Sequence, residues 1–206
     1  MNFKGRGRLQ KLPESISELK SLEIMNLKGC IKLKKLPEQL GNMKVLTDLL
    51  LDGTYVQNLP SSTGFLKKLK KLLVPRRPGI MSTSFSHSKE LVIKQQPFLP
   101  PSLSGLSSLT TLDIRCRHLS NNHISINLGS LSCLQDLSLA GNHFSELPAG
   151  IGHLAKLEKL DLSNCRNILF ISEIPSSLRA LVARYCISLE KVSIQSKTAP
   201  DLLLEN

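Results

Sequence analysis

Residues 134–154 read L-Q-D-L-S-L-A-G-N-H-F-S-E-L-P-A-G-I-G-H-L, and few folds can accept such a stretch. Leu137 and Leu139 alternate with Asp136, Ser138 and Ala140. That is the period of a short strand with one face buried. Asn142 suits the turn that must follow, because its amide can both donate to and accept from turn backbone groups. Phe144 and Leu147 point back into the same core. Pro148 starts a return segment on which Ile151 and Leu154 have helix-like spacing. A unit of this size cannot bury its own apolar face, so it is stable only when copies stack.

Copies are present along the chain. Strand-opening leucines fall at Leu22, Leu46, Leu69, Leu109, Leu134, Leu157 and Leu178, with successive separations of 24, 23, 40, 25, 23 and 21 residues. All but one separation lie within the roughly 20–29 residues of a leucine-rich repeat. The expected fold is therefore α/β, a curved leucine-rich-repeat solenoid of about seven units. Short parallel strands should line its concave face, with loops and short helical turns on the convex face. A core of stacked Leu and Ile accounts for an aromatic content of only 4% and the lack of Trp.

The pattern predicts boundaries. Residues 1–8 are polar and basic and read as a disordered or truncated tail. Residues 9–21 read as the back half of a unit whose strand is missing, as in a piece of a longer protein or a shortened gene product. The repeat domain spans 9–192, and 193–206 read as a C-terminal tail or the start of a post-repeat domain. The long separation marks an insertion loop at about 75–98, rich in Ser and Pro and so of loop chemistry. Such a loop either carries function on a rigid scaffold or is an unselected insertion. In the fourth unit Arg117 stands at the turn position and Ser125 where a proline is natural; in the second, Thr54 takes the turn position and Thr63 an apolar one.

Charge is uneven. Residues 1–77 hold 16 Lys/Arg against 6 Asp/Glu, so nearly all of the net +11 lies there. A basic half can be a solvated flank, or can favour an acidic protein surface, lipid headgroups or nucleic acid. Nucleic acid is the least expected, since Phe3, Tyr55 and Phe65 are the only aromatics in that half and form no evident stacking platform. No apolar run approaches the roughly 18 residues that would span a membrane. There is no secretory signal core and no Asn-x-Ser/Thr sequon, which points to an intracellular chain. Cys30, Cys165 and Cys186 share the turn position of Asn142, so all five cysteines, with Cys116 and Cys133, are expected as free thiols.

Catalytic chemistry is not expected. The chain has no phosphate-binding glycine loop, nucleophile elbow or H-E-x-x-H helix. His87, His118, His123, His143 and His153 form no ligand cluster, so neither metal nor cofactor is expected. Asp113, Asp136 and Asp161 could form an acidic stripe on the strands, which suits a binding surface as well as paired carboxylates. The candidate partner-binding residues are the outward positions of the concave face: Asn26, Lys28, Asp48, Asp52, Lys71, Asp113, Arg115, Asp136, Ser138, Lys159, Asp161 and Arg184.

Longer matches point to a family. L-K-G-C-I-K-L-K-K-L-P-E-Q-L-G-N-M-K-V-L (27–46), L-D-G-T-Y-V-Q-N-L-P-S-S (51–62) and I-P-S-S-L-R-A-L-V-A-R-Y-C-I-S-L-E-K-V (174–192) resemble the repeats of plant TIR-class nucleotide-binding leucine-rich-repeat disease-resistance proteins. The last stretch is the most specific, a shortened closing repeat with a C-x-S-L-E turn. The resemblance implies recognition of a pathogen effector or a guarded host protein. It also implies restraint of a nucleotide-binding domain that would lie N-terminal to this region, in the cytoplasm with the nucleus as a second compartment. Two other readings stand beside it: a stand-alone intracellular repeat scaffold regulating a small GTPase or kinase complex, and a truncated, non-functional receptor fragment.

Overall fold

The computed structural model describes residues 1–74, 99–116, 119–120, 127–193 and 200–204. Its backbone is a stack of rungs, each a three-residue strand, a tight turn and a return segment. The strands are β1 (Ile24–Asn26), β2 (Asp48–Leu50), β3 (Lys71–Leu73), β4 (Thr111–Asp113), β5 (Asp136–Ser138), β6 (Lys159–Asp161), β8 (Ala180–Val182) and β10 (Asp201–Leu203). They form one eight-stranded parallel sheet in that order. Two-residue strands β7 (Phe170–Ile171) and β9 (Lys191–Val192) pair separately, in the return segments of the sixth and seventh units.

Register explains why this sequence stacks. Met25, Leu49, Leu72, Leu112, Leu137, Leu160 and Leu181 are Cα partners from strand to strand, and all are buried. The second apolar row runs Leu27, Leu51, Val74, Ile114, Leu139, Leu162 and Ala183, again buried. A one-residue slip would turn both rows to solvent, which is what pins the register. The return segments close the core with 3-10 turns such as Ser61–Phe65, Pro101–Gly105 and Ile151–His153. These turns pack so closely that a Cβ added at Gly41 or Gly64 would collide with the carbonyl of Ser62 or Ser102 on the next rung.

Both ends differ from expectation. Residues 1–8 supply the strand and turn of a further rung. Asn2 bridges Asn26 in parallel, and Phe3 N–H donates to Asn26 O at 2.8 Å and Gly5 N–H to Lys28 O at 2.7 Å. Met1, Asn2, Phe3 and Gly5 stand where Met25, Asn26, Leu27 and Gly29 stand one rung later. The half-unit at 9–21 is therefore preceded by a segment at the strand position, joined to β1 by one β-bridge. At the other end, 193–206 contribute β10, whose Leu202 pairs in register with Leu181. The 75–98 insertion, Arg117, His118, His123 and Ser125 lie outside the described residues. β3 and β4 nevertheless pair directly, so the inserted length leaves the stack unbroken.

The turn explains the alternation of Asn and Cys. Asn142 is fully buried; its Nδ2 donates to Leu139 O at 2.7 Å and to Ile114 O of the preceding rung at 3.1 Å, and its Oδ1 accepts from Leu119 N–H at 3.1 Å. The thiols repeat the inter-rung bond: Cys30 to Phe3 O at 3.1 Å, Cys165 to Leu139 O at 3.4 Å and Cys186 to Leu162 O at 3.2 Å. Burial holds the Cys165 thiol protonated, its pKa pushed up to about 12, and raises those of Cys30 and Cys186. All five cysteines are free thiols. Thr54 serves its own turn instead, accepting from Val56 N–H at 3.5 Å. Thr63 is fully buried with no partner for its hydroxyl among the described residues, so that return segment carries an unpaid polar group.

Candidate interaction face

Strands β1 to β6 and β8 each bury the middle residue and turn its two neighbours outward, so the sheet presents columns of side chains at fixed spacing. The first column runs Ile24, Asp48, Lys71, Thr111, Asp136, Lys159 and Ala180. A second runs Asn26, Leu50, Leu73, Asp113, Ser138, Asp161 and Val182. Lys28, Asp52, Arg115 and Arg184 come two residues later, at the lip of the turn. All twelve sequence-predicted positions fall in these three columns, exposed or half-buried.

Lys71, Asp113, Arg115, Asp136, Ser138, Lys159 and Asp161 line one open depression in the middle of the sheet, together with Leu73 and Thr111. Asn26, Lys28, Asp48 and Asp52 lie on rungs towards its N-terminal side and Arg184 on a rung towards its C-terminal side, and none of them lines it.

Hydrogen bonds sort these candidates. Asn26 Oδ1 accepts from Lys28 N–H at 3.2 Å, Asp113 Oδ1 from Arg115 N–H at 3.2 Å, and Asp161 Oδ1 from Ser163 N–H at 3.0 Å. Asn2 does the same with Lys4 N–H at 3.0 Å. This is the local bond that Asn and Asp make to the backbone two residues on, and it shapes the chain as it leaves the strand. Asp113 is further engaged by Arg115, at 2.8 Å to Nε and 2.7 Å to Nη2. The hydrogen bond to Asp113 holds the Arg115 guanidinium above its ordinary pKa, against the opposing effect of burial, with attraction to Asp113, Asp161 and Asp52 adding.

The acidic stripe is accordingly not a row of like charges. Asp136 belongs to the column of Thr111 and Lys159, and Ser138 stands between Asp113 and Asp161, donating to Asp161 at 3.2 Å. Among the described residues no two carboxylates are direct partners across adjacent strands of the sheet, and the face offers charge and hydrogen-bonding groups to a ligand. Among the described residues no group of His, Cys, Asp and Glu could hold a metal ion. No helix among them is long and apolar enough to cross a membrane.

Outward apolar residues escaped the sequence reading. Ile24 is 48% exposed, and Leu50, Leu73 and Val182 are half-buried on the same face. Leu50 lies between Leu49 and Leu51 and Leu73 between Leu72 and Val74. In an unbroken apolar run the outward member looks like core, although strict alternation already places it outside.

A sequence model of the leucine-rich repeat matches residues 133–154 and 156–181. The disease-resistance-like protein DSC1 of Arabidopsis thaliana is 33% identical over 194 residues, 94% of this chain and 15% of its own length. The TMV resistance protein N of Nicotiana glutinosa is 33% identical over 181 residues, 88% of this chain and 12% of its own. The disease-resistance protein RPS4B of Arabidopsis thaliana is 31% identical over 151 residues, 72% of this chain and 13% of its own. The chain thus spans less than a sixth of the length of these relatives. Among solved structures, the leucine-rich-repeat domain of the type III effector XopL superposes with a TM-score of 0.60 at 21% identity, covering 96% of this chain and 73% of that one. The functional domain of InlJ from Listeria monocytogenes gives 0.56 at 15% identity, covering 90% and 42%. Those two likenesses concern fold alone. Rung geometry, the Asn/Cys turn and the sequence relatives converge on one family: the chain is a leucine-rich-repeat solenoid of the kind found in plant TIR-class nucleotide-binding disease-resistance proteins.

Proposed function

We propose that this chain is the ligand-recognition module of an intracellular plant immune receptor. Its concave sheet binds a pathogen effector or a guarded host protein, and in a full-length receptor it also restrains the nucleotide-binding domain. One observation carries the reading: Lys71, Asp136 and Lys159 project from the middle of the sheet beside Leu73, and among the described residues no hydrogen bond or ion pair of the fold uses their side chains. A mixed-charge rim around half-buried apolar side chains is the surface chemistry of protein recognition. The similarity to disease-resistance proteins supports reading that recognition as part of defence.

The test is proximity labelling by the 206-residue chain in leaf cells, with and without infection. The expected result is a defined protein labelled by the wild type, lost with Lys71→Glu/Lys159→Glu and retained with Lys20→Glu/Lys68→Glu, two exposed lysines outside the strands. Labelling of one signalling GTPase irrespective of infection, and indifferent to the concave pair, would instead support a stand-alone scaffold.

A further inference from the structure

The excess positive charge of the chain does not lie on the concave face. Among the twelve outward positions, Lys28, Lys71, Arg115, Lys159 and Arg184 balance Asp48, Asp52, Asp113, Asp136 and Asp161. It collects instead on the flank where the chain descends from the turn into the return segment, on the first rungs. Arg6, Arg8 and Lys11 there are followed one rung later by Lys32, Lys34 and Lys35, all exposed. The stretches 6–11, 29–35 and 53–59 contain no Asp or Glu. None of those six cations makes an ion pair among the described residues. The equivalent flank further along is mixed in charge, with Ser145 and Glu146 after β5, Arg166 after β6, and Glu190 and Lys191 after β8.

Two further features mark this flank as more than a solvated edge. Arg8 and Lys32, like Lys11 and Lys35, are equivalent positions on successive rungs. Like charges at matching places on neighbouring rungs repel, and an anionic ligand would offset that repulsion. Ile31 and Tyr55, equivalent residues after β1 and β2, stand out from the same face at 54% and 45% exposure. Backbone bonds from Tyr55 N–H to Leu33 O at 2.9 Å and from Gln57 N–H to Lys34 O at 3.3 Å hold the stretches 29–35 and 53–59 side by side.

We infer that this N-terminal flank is a second docking surface, separate from the concave face, and that it takes an acidic amphipathic helix of a protein partner. Rungs repeat at about 4.8 Å. A helix laid along the solenoid axis returns a side chain to the same face about every 5.4 Å. Carboxylates one turn apart can therefore meet Arg8 and Lys32, or Lys11 and Lys35, in succession. An apolar residue beside them covers Ile31 and Tyr55. Nucleic acid fits less well, since Tyr55 is the one exposed aromatic in these stretches and offers no stacked row for bases.

The proposal is tested with the 206-residue chain and three fluorescent probes: a synthetic helix bearing Glu on one face and an adjoining Leu stripe, phosphatidylserine vesicles, and duplex DNA. The expected result is preferential, salt-sensitive binding of the helix. Arg8→Gln/Lys32→Gln/Lys35→Gln should weaken it by about tenfold or more, from the loss of three charge contacts. Ile31→Ser should weaken it further, and the concave control Lys71→Gln/Lys159→Gln should leave it unchanged. Equal binding by the flank variant, equal loss in the concave control, or preference for vesicles or DNA would each overturn the proposal. Every substituted side chain is exposed, so an unchanged melting curve separates lost binding from lost fold.

Discussion

The turns of the first rungs and those of the last follow one backbone path with different chemistry. Among the described residues, the residue three after the last outward residue of the strand is left-handed. It is Gly5, Gly29 and Gly53 at φ 74, 72 and 73°, then Cys116, Gly141, Asn164 and Tyr185 at 53, 67, 60 and 57°. Glycine takes that conformation without strain, and asparagine tolerates it; for tyrosine it costs roughly 1–2 kcal/mol. The next residue shows the same freedom: a thiol at Cys30, Cys165 and Cys186, an amide at Asn142, a hydroxyl at Thr54. Return segments differ as well, closing with 3-10 turns early in the chain and with the β7–β9 pair late. What stays constant is the alternation that buries two apolar residues per rung from β1 to β6 and at β8. The turn position stays buried as well, while its chemistry varies among thiol, amide and hydroxyl.

The largest break in this comparison should come at Asn142. Its truncation to Ala leaves Leu119 N–H and Ile114 O without their buried partner and should cost about 3 kcal/mol, within the 2–5 kcal/mol expected for Leu137→Ala or Leu160→Ala in the core. Asn142→Cys should cost less than Asn142→Ala in urea unfolding, because the thiol can still reach the preceding rung as Cys165 does. An equal cost would show that the rung-to-rung bond is not what the turn position is selected for.

The thiols should also leave a signature in pH. The Cys165 pKa is raised on folding, so the folded state holds its proton after the unfolded state has lost it. Its contribution is complete below pH 9.0 and is lost as pH rises towards about 12. Across that window stability should fall by roughly 1.4 kcal/mol per pH unit from this residue alone. Urea titrations of wild type and Cys165→Ser on either side of pH 9.0 isolate the slope, which the serine variant should lack. Smaller gains should come from removing local misfits. Thr63→Val replaces an unpartnered buried hydroxyl by a methyl and should add about 1 kcal/mol. Tyr185→Gly should add about 0.5 kcal/mol, the relief of the left-handed backbone less the entropy of glycine.

Most of the interior was legible in the residues themselves, because Leu137 and Leu139, and their counterparts on six other rungs, carry the period openly. The rungs at the two ends were not. Met1 and Phe3 replace leucines, and the opening leucine of that unit is absent from the sequence. Leu202, Leu203 and Leu204 are consecutive, so no alternation betrays β10, and with no rung beyond among the described residues they stay 40–45% exposed. The β7–β9 pair joins residues 21 apart whose local sequence, Phe170–Ile171 and Lys191–Val192, is too short to show any period. On the outward face the columns were legible, but the division of labour within them was not. That Asn26, Asp113 and Asp161 are turned onto their own backbone depends on the bend after each strand, whereas Asp136, Lys71 and Lys159 sit earlier on straight strand.

Side chains engaged in the turns hold the fold, and those left over on the strands recognise the partner. Lysine cross-linking of the partner captured in leaf cells separates the two, since exposed lysines stand both on the strands and away from them. Cross-links from Lys71 and Lys159 to a single partner are the predicted result; cross-links confined to lysines away from the concave strands, such as Lys20, Lys68 and Lys156, would contradict it.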